Sequence, residues 1–323
     1  MLFALILQSF FAFAHQPFQY EGFVPVQKDR EVYVQYKKPR NHQPTLVLLN
    51  GLTYSTHEWD KFTDQMESIN PDLGLLRYDM QGQGETLLEY KDNFSNSVFV
   101  DQDALPYKNQ VENLNELFKH FHLPADSTYL IGLSYGGAIA MNYLAKYPNK
   151  FQSVILLAPF TSALSAVEEW VKKQMELTRL NPFNPLNTLS DEDLYEYYLR
   201  TYVYTFFPVV EPITLENPYK LEAAYRLTTG VRQFKAVDVA ARFKKNSVHL
   251  FVGAKDEYIK QEEFFGFWSK VPQKAKMSFV TFTNSRHKLP EEKPSVIAEY
   301  VNKVLTHDPE LSGGQELTVE VEY

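Results

Sequence analysis

The segment Gly132-Leu133-Ser134-Tyr135-Gly136-Gly137 decides the fold predicted for this chain. It follows the apolar run 129–131 and precedes a helical pattern that ends near Tyr147-Pro148. The pattern G-x-S-x-G between a strand and a helix is typical of a strained turn that exposes the serine hydroxyl. Its glycines let the helix approach neighbouring strands, and free N–H groups at the helix N-terminus favour negative charge. The segment therefore predicts Ser134 as a nucleophile.

Short apolar runs and helical patterns alternate on both sides of this turn. Amphipathic helical stripes cover residues 107–122 and 294–305. Strand-like runs lie at 31–37, 45–49, 73–78, 128–133, 153–158, 248–252 and 277–282. This alternation predicts an α/β fold with a mostly parallel central sheet that is flanked by helices.

The alternation breaks between residues 161 and 240, where no strand pattern appears. This stretch is rich in Phe and Tyr, and Ser190 followed by Asp193 resembles a helix N-cap. We interpret it as an inserted helical cap, with some aromatic side chains lining an apolar pocket that faces the serine.

The C-terminal residues 316–323 alternate between apolar and polar side chains, which fits either an edge strand or a solvated tail. The predicted division is a leader at 1–14, a core in two parts at 15–160 and 241–305, a cap at 161–240 and a C-terminal tail at 306–323.

The N-terminus begins with an uncharged apolar run, residues 2–14, that ends in Ala12-Phe13-Ala14. The run is shorter than the roughly 20 apolar residues of a membrane span, and its small-x-small end suits a signal peptidase. We expect cleavage before His15 and export to the periplasm or the medium. An uncleaved membrane anchor and a buried N-terminal helix are the alternatives.

Composition restricts the partners and the chemistry. The chain has 323 residues, of which 44% are hydrophobic, so a mainly disordered chain is excluded. Its formal net charge of −8 argues against nucleic acid as a partner, because phosphate binding needs a basic face. The absence of cysteine excludes disulfides, a thiol nucleophile and cysteine-ligated metals. We predict no metal and no organic cofactor, and the sequence leaves the oligomeric state open.

A nucleophilic serine needs a histidine base and a carboxylate that orients this base. His287 follows one strand-like run, and Asp256 follows another, with Glu257 beside it as the alternative acid. In proteins with parallel sheets, catalytic side chains lie beyond the carboxyl ends of the strands. The chain order serine, acid, histidine is the order expected for this architecture. The remaining candidate histidines are assigned to surface or structural positions: His120, His122, His249 and His307.

A tetrahedral oxyanion needs two fixed N–H donors. The backbone N–H of Tyr135, directly after the serine, is predicted as the first donor. The second is expected in the loop after the run 45–49, where Gly51 permits a sharp turn and Leu52 supplies the N–H. The neighbouring Thr53 and Tyr54 are predicted to contact the substrate.

Taken together, these segments resemble the α/β-hydrolase superfamily over nearly all of residues 20–305. GLSYGG resembles the nucleophile motif of this family, and LLNGLTYSTHEWD resembles its oxyanion-loop segment, with Asn50 where most relatives have His. RYDMQGQGET is similar to the segment after the next strand, while FVGAKDEYI and SRHKLPEEKP are similar to the acid and histidine segments. The resemblance implies an α/β-hydrolase fold with the cap inserted after the strand 153–158.

The predicted function is that of a serine hydrolase which cleaves carboxylic esters through an acyl-enzyme, as esterases, lipases and lysophospholipases do. Its substrate would be a small ester or a lipid, and contact with a membrane surface stays open. A prolyl-type aminopeptidase shares the scaffold, and Glu168 and Glu169 at the cap entry could bind an amino terminus, although a solvated helix face explains them more simply. The third alternative is a non-catalytic member that binds a ligand.

Overall fold

The computed structural model describes residues 18–28, 30–95, 105–162, 165–206, 219–232, 234–245 and 247–322. The predicted leader at 1–14 lies outside the described residues, as do residues 207–218 of the predicted cap. Within the described part of the chain, no helix combines the length and the apolar character needed to span a bilayer.

The described strands form one nine-stranded sheet in the order β1-β2-β4-β3-β5-β6-β7-β8-β9. They are β1 (Tyr20–Gln27), β2 (Arg30–Lys37), β3 (Thr45–Leu49), β4 (Gly74–Tyr78), β5 (Thr128–Leu133), β6 (Ser153–Leu157), β7 (Val248–Gly253), β8 (Lys276–Phe282) and β9 (Gln315–Val319). The pairs β1–β2 and β2–β4 are antiparallel and the other pairs are parallel. The predicted mostly parallel sheet is confirmed.

Helices connect these strands and cover the sheet. They are α1 (Asp60–Ile69), α2 (Gly84–Glu89), α3 (Asp92–Ser95), α4 (Tyr107–His120), α5 (Tyr135–Lys146), α6 (Ser165–Leu180), α7 (Asp191–Phe206), α8 (Tyr219–Val231), α9 (Ala236–Ala240), α10 (Gln261–Lys270), α11 (Leu289–Glu292) and α12 (Pro294–Leu305). Short 3₁₀ helices lie at Thr56–Trp59, Pro185–Thr188 and Pro309–Leu311. The connection from β3 through α1 to β4 and the one from β5 through α5 to β6 run in opposite directions, so right-handed crossovers place α1 and α5 on opposite faces.

Two edge strands differ from what the sequence pattern indicates. The pattern does not predict β1, because Gly22 and Pro25 interrupt its alternation. At the other end, β9 pairs in parallel with β8, and the N–H of Thr283 donates to the carbonyl of Val319 at 2.9 Å. Of the two structures left open for the C-terminal residues, the chain adopts the edge strand.

The stretch between β6 and β7 contains α6 to α9 and, among its described residues, no strand. The backbone N–H of Asp193 donates to Ser190 Oγ at 3.0 Å, so Ser190 caps the start of α7 as its spacing predicts. The helices α6, α7 and α8 share an apolar cluster that is separate from the main core. Its buried members are Val167, Val171, Tyr195, Leu199, Val203, Ala224 and Tyr225.

The strand order determines where a site can form. The chain leaves β3 toward one edge of the sheet and leaves β5 toward the other, so the crevice at their carboxyl ends stays open. In α/β sheets ligands bind at such a switch point. The loop that begins at Asn50 and the turn that carries Ser134 both start there.

Candidate active site

Ser134 lies in a strained turn between β5 and α5. Its φ of 51° and ψ of −113° place a non-glycine residue in a region that costs about 1–3 kcal/mol. The surrounding backbone holds this conformation, because the N–H of Ser134 donates to Leu157 and its carbonyl accepts from the N–H of Phe160. A Cβ at Gly136 would lie 2.2 Å from the carbonyl oxygen of Leu49, so only glycine allows the helix this close to β3.

His287 and Asp256 form a hydrogen-bonded pair beyond the ends of β8 and β7. The distance from His287 Nδ1 to Asp256 Oδ2 is 2.7 Å, and the Asp256 side chain is fully buried. The other carboxylate oxygen, Oδ1, accepts the backbone N–H groups of Tyr258 and Ile259 at 2.9 Å each. Because an ionised carboxylate only accepts hydrogen bonds, Nδ1 is the donor in such a pair, and Nε2 is the ring nitrogen that remains for proton transfer.

The alternative acid, Glu257, has a different position. Its Oε2 accepts the backbone N–H of His287 at 3.3 Å rather than an imidazole nitrogen. Glu257 also lines the cavity in front of the histidine. The geometry therefore pairs the imidazole with Asp256.

One cavity of about 230 Å³ joins most of the predicted site residues. Ser134 and His287 both line it, while Asp256 lies behind the imidazole. Its walls also include Leu52 and Tyr135, the candidate oxyanion donors, and Thr53 and Tyr54, the candidate substrate contacts. Further apolar wall residues include Leu133, Phe160, Val167, Leu199, Tyr202 and Val231.

Asn50, at the start of the predicted oxyanion loop, takes part in a buried network. Its Oδ1 accepts the indole N–H of Trp59 at 2.9 Å, and its Nδ2 donates to the carbonyl of Tyr78 at 3.1 Å. The loop is thereby tied to β4. Asp79, which follows β4, accepts the backbone N–H of Thr56 at 2.6 Å, and burial raises the pKa of its carboxyl to about 6.

Two residues that the sequence analysis does not predict contact this loop directly. Glu58 accepts the backbone N–H of Gly51, and Gln83 donates to the carbonyls of Gly51 and Leu52. Glu58 is buried and lines the cavity. The available sequence signal is the pair of glycines around Gln83, which sharp backbone turns require.

The cap contributes a charged group to the cavity. Glu168 accepts the hydroxyl hydrogen of Tyr195, and Arg232 Nε lies 3.9 Å from the same carboxylate oxygen. The guanidinium of Arg232 stacks 3.6 Å from the centroid of the Tyr195 ring and donates to Glu196 at 3.2 Å. Glu169 pairs instead with Lys260 at 3.6 Å.

The four histidines that the sequence analysis assigns to surface or structural positions do not line this cavity. His249 is buried in β7, where Nδ1 lies 2.9 Å from Ser278 Oγ, and burial lowers the pKa of its imidazole to about 3. His120, His122 and His307 are exposed.

A mostly parallel sheet with a strained serine turn after β5 and a histidine after β8 defines an α/β-hydrolase. Residues 40–294 match the family model described as serine aminopeptidase, S33, and the chain belongs to this family of hydrolases. Its members are serine hydrolases, with esterase and peptidase relatives. The predicted superfamily resemblance is confirmed.

Curated relatives match about half of the chain. A proline iminopeptidase from Lactobacillus helveticus is 28% identical over 159 residues, which is 48% of this chain and 47% of the relative. A human monoacylglycerol lipase is 25% identical over 150 residues, or 46% of this chain and 40% of the relative. The chain thus spans about half the length, or less, of these relatives.

Solved structures match over most of the chain. An α/β hydrolase from a Medee basin deep-sea metagenome library has a TM-score of 0.62 at 18% identity, covering 94% of this chain and 99% of that one. The carboxylesterase CesB from Bacillus subtilis has a TM-score of 0.53 at 16% identity, covering 89% of this chain and 92% of that one. At these identities the similarity shows the fold alone.

Proposed function

We propose that this protein is a serine hydrolase that cleaves carboxylic esters. The observation that carries the proposal is a strained Ser134 on the same apolar cavity as His287, whose other ring nitrogen is bound to Asp256. A strained turn of this kind exposes the serine hydroxyl. A histidine that is held in place by a buried carboxylate is suited to act as the base.

Each step of the reaction uses one of these groups. Ser134 Oγ attacks the ester carbonyl while His287 Nε2 accepts its proton, and the imidazolium is stabilised by Asp256. The backbone N–H groups of Tyr135 and Leu52 stabilise the tetrahedral oxyanion, by about 3 kcal/mol each. His287 then protonates the leaving alcohol, and a water activated by the same imidazole hydrolyses the acyl-enzyme.

The charges of the cap favour an ester over a peptide with a free amino terminus. An aminopeptidase must bind the ammonium group of its substrate, and Glu168 is the cap carboxylate on the cavity. This carboxylate already accepts from Tyr195 and lies beside Arg232. A substrate ammonium would have to compete with the guanidinium, whereas a neutral ester carries no charge to be repelled.

A prolyl-type aminopeptidase is the second candidate. The proline iminopeptidase relatives and the presence of Glu168 on the cavity support it. The two candidates share the nucleophile and differ in the group that leaves, so substrates separate them.

The test combines a variant with a substrate panel. Ser134→Ala should abolish hydrolysis of p-nitrophenyl esters and labelling by a fluorophosphonate probe, whereas Ser68→Ala, an exposed serine on α1, should leave both unchanged. Wild-type protein should hydrolyse butyrate esters far faster than proline p-nitroanilide. Labelling of Ser134→Ala would overturn the nucleophile, and faster anilide hydrolysis would favour the aminopeptidase.

A further inference from the structure

We propose that Glu58 and Gln83 form a clamp that fixes the direction of the Leu52 N–H, so that both are positioning residues for ester hydrolysis. The inference rests on the proposed function, because it concerns the second oxyanion donor. The two side chains grip the oxyanion loop from two different segments of the chain, the 3₁₀ helix Thr56–Trp59 and the turn before α2.

Gln83 holds the carbonyl groups of the loop. Its Nε2 donates to the carbonyl oxygen of Gly51 at 2.6 Å and to that of Leu52 at 2.9 Å. Its Oε1 accepts from Asn50 Nδ2 at 3.4 Å, which fixes the orientation of the amide. The side chain is 1% exposed, so water does not compete for these carbonyls.

Glu58 holds the N–H group of the same loop. Its Oε2 accepts the backbone N–H of Gly51 at 2.8 Å. A Cβ at Gly51 would lie 3.1 Å from Glu58 Oε1 and 3.3 Å from the ring of Tyr54, so glycine permits this close approach. The peptide units on both sides of Gly51 are therefore bound by side chains.

These contacts determine which polar group of the loop remains for the substrate. In a trans peptide unit the C=O and the N–H point in opposite directions, and no cis peptide occurs among the described residues. Because Gln83 binds the carbonyl of Gly51, the N–H of Leu52 points away from Gln83. Leu52 lies on the cavity wall together with Ser134, and the proposal assigns this N–H to a developing oxyanion there.

The same clamp explains the pair of glycines at 82 and 84. Gly82 has a φ of 85° and Gly84 a φ of 46°, which are conformations that favour glycine. A Cβ at Gly84 would lie 2.1 Å from Asp79 Oδ2. The two glycines thus let the chain turn tightly over Asp79 and direct the Gln83 side chain toward the oxyanion loop.

The charges around Glu58 support a neutral carboxyl group. Its Oε1 is buried without a hydrogen-bond partner among the described residues, and burial raises the pKa of this carboxyl to about 8. Lys288, directly before α11, lowers the pKa and Glu291 raises it, and the Lys288 ammonium lies 4.3 Å from the centroid of the Tyr54 ring. A neutral acid near the oxyanion can hold Gly51 without repelling the negative transition state.

The experiment removes the clamp contacts while keeping side-chain volume. Glu58→Met and Gln83→Met should each lower kcat for p-nitrophenyl butyrate about 10- to 100-fold, less than the 10²–10³ loss of a deleted donor. KM should change little, and affinity for a trifluoromethyl ketone, whose adduct resembles the tetrahedral intermediate, should fall in proportion to kcat/KM. Glu58→Gln, which keeps an acceptor for Gly51, should restore kcat. Glu89→Met, an exposed residue on α2, is the matched control.

The outcomes separate the clamp from the proposed function. Unchanged kcat in both methionine variants, with Ser134→Ala inactive, would overturn the clamp and leave the proposed function standing. A rise in KM with constant kcat would also overturn it, since that pattern reports lost substrate contact. Hydrolysis by Ser134→Ala would remove the basis for both. If a methionine variant does not fold, Gln83→Glu keeps the shape while replacing the donor, and an unchanged kcat there would refute the clamp.

Discussion

Two carboxyl groups close to the cavity differ in how completely they are satisfied. Asp256 binds His287 with one oxygen and two backbone N–H groups with the other. Glu58 binds one backbone N–H, and its second oxygen is buried with no hydrogen-bond partner in the part of the chain that the structure describes. A buried charge without full hydrogen bonding is unfavourable, so burial favours the neutral form of the Glu58 carboxyl and raises its pKa. Asp256 can stabilise an imidazolium, whereas Glu58 is suited to a structural contact.

The protonation of Glu58 predicts how stability depends on pH. Burial raises the pKa of this carboxyl to about 8 in the folded protein, against 4.5 as the ordinary value for the unfolded chain. Between these values the folded state binds one more proton, so its contribution to stability is complete below 4.5 and is lost as pH rises through 8. The melting temperature of Glu58→Gln minus that of wild type should therefore increase from pH 5 to pH 9. Differential scanning fluorimetry measures this difference. A difference that is constant with pH would contradict the raised pKa.

At the level of secondary-structure elements, the turn from β5 into α5 depends on how closely α5 approaches β3. Gly136 lies in the first turn of α5 directly against β3, and its missing side chain sets the distance between them. Gly266 in the middle of α10 has, among the residues that the structure describes, no atom within 4 Å of the position of a Cβ. Close packing thus requires glycine at position 136, whereas no packing contact among the described residues requires it at position 266.

Alanine at these two positions should have opposite effects. Gly136→Ala should destabilise the protein by about 3 kcal/mol or more through overlap with the Leu49 backbone, and should reduce activity by displacing Ser134. Gly266→Ala should stabilise it by about 0.5–1 kcal/mol, because alanine loses less backbone entropy in a helix. Urea unfolding and ester hydrolysis measure both effects. Equal stabilities of the two variants would refute the packing argument.

For the whole molecule, the cavity that we propose to hold the substrate is lined by both the core and the cap helices. The core supplies the reactive groups and the oxyanion loop, while α6, α7 and α8 supply apolar wall residues such as Val167, Leu199 and Val231. The cap helices pack on one another through their own cluster. A change in the cap should therefore alter substrate choice more than the chemical step.

Leu199→Ala tests this division of labour. Leu199 is 2% exposed and belongs both to the cap cluster and to the cavity wall. Its truncation should widen the cavity and raise kcat/KM for octanoate esters relative to acetate esters, at a stability loss of about 2–5 kcal/mol. Leu177→Ala, on the exposed side of α6, is the control and should leave the ratio unchanged. An unchanged ratio in Leu199→Ala would show that the acyl group binds elsewhere.

The local sequence determined the elements of the core and the order of the candidate groups along the chain. A G-x-S-x-G turn, period-2 runs and helical stripes depend on backbone conformation and on neighbours within a few residues, so they are visible in one sequence. The edge strand β1 was less visible, because Gly22 and Pro25 break its pattern and the pairing with β2 forms it. For the C-terminal residues, pairing with β8 decided between strand and tail.

Tertiary packing alone decided which side chains meet at the cavity. Gln83 donates to the carbonyl of Gly51, which lies 32 positions away in the chain. Arg232, directly after α8, lies beside Glu168 of α6. These contacts result from the packing of β3, β4 and the cap helices. No periodic pattern in a single sequence predicts them. Sequence therefore supplied the reactive groups, while packing supplied their orientation, because hydrogen-bond direction depends on the positions of distant backbone segments.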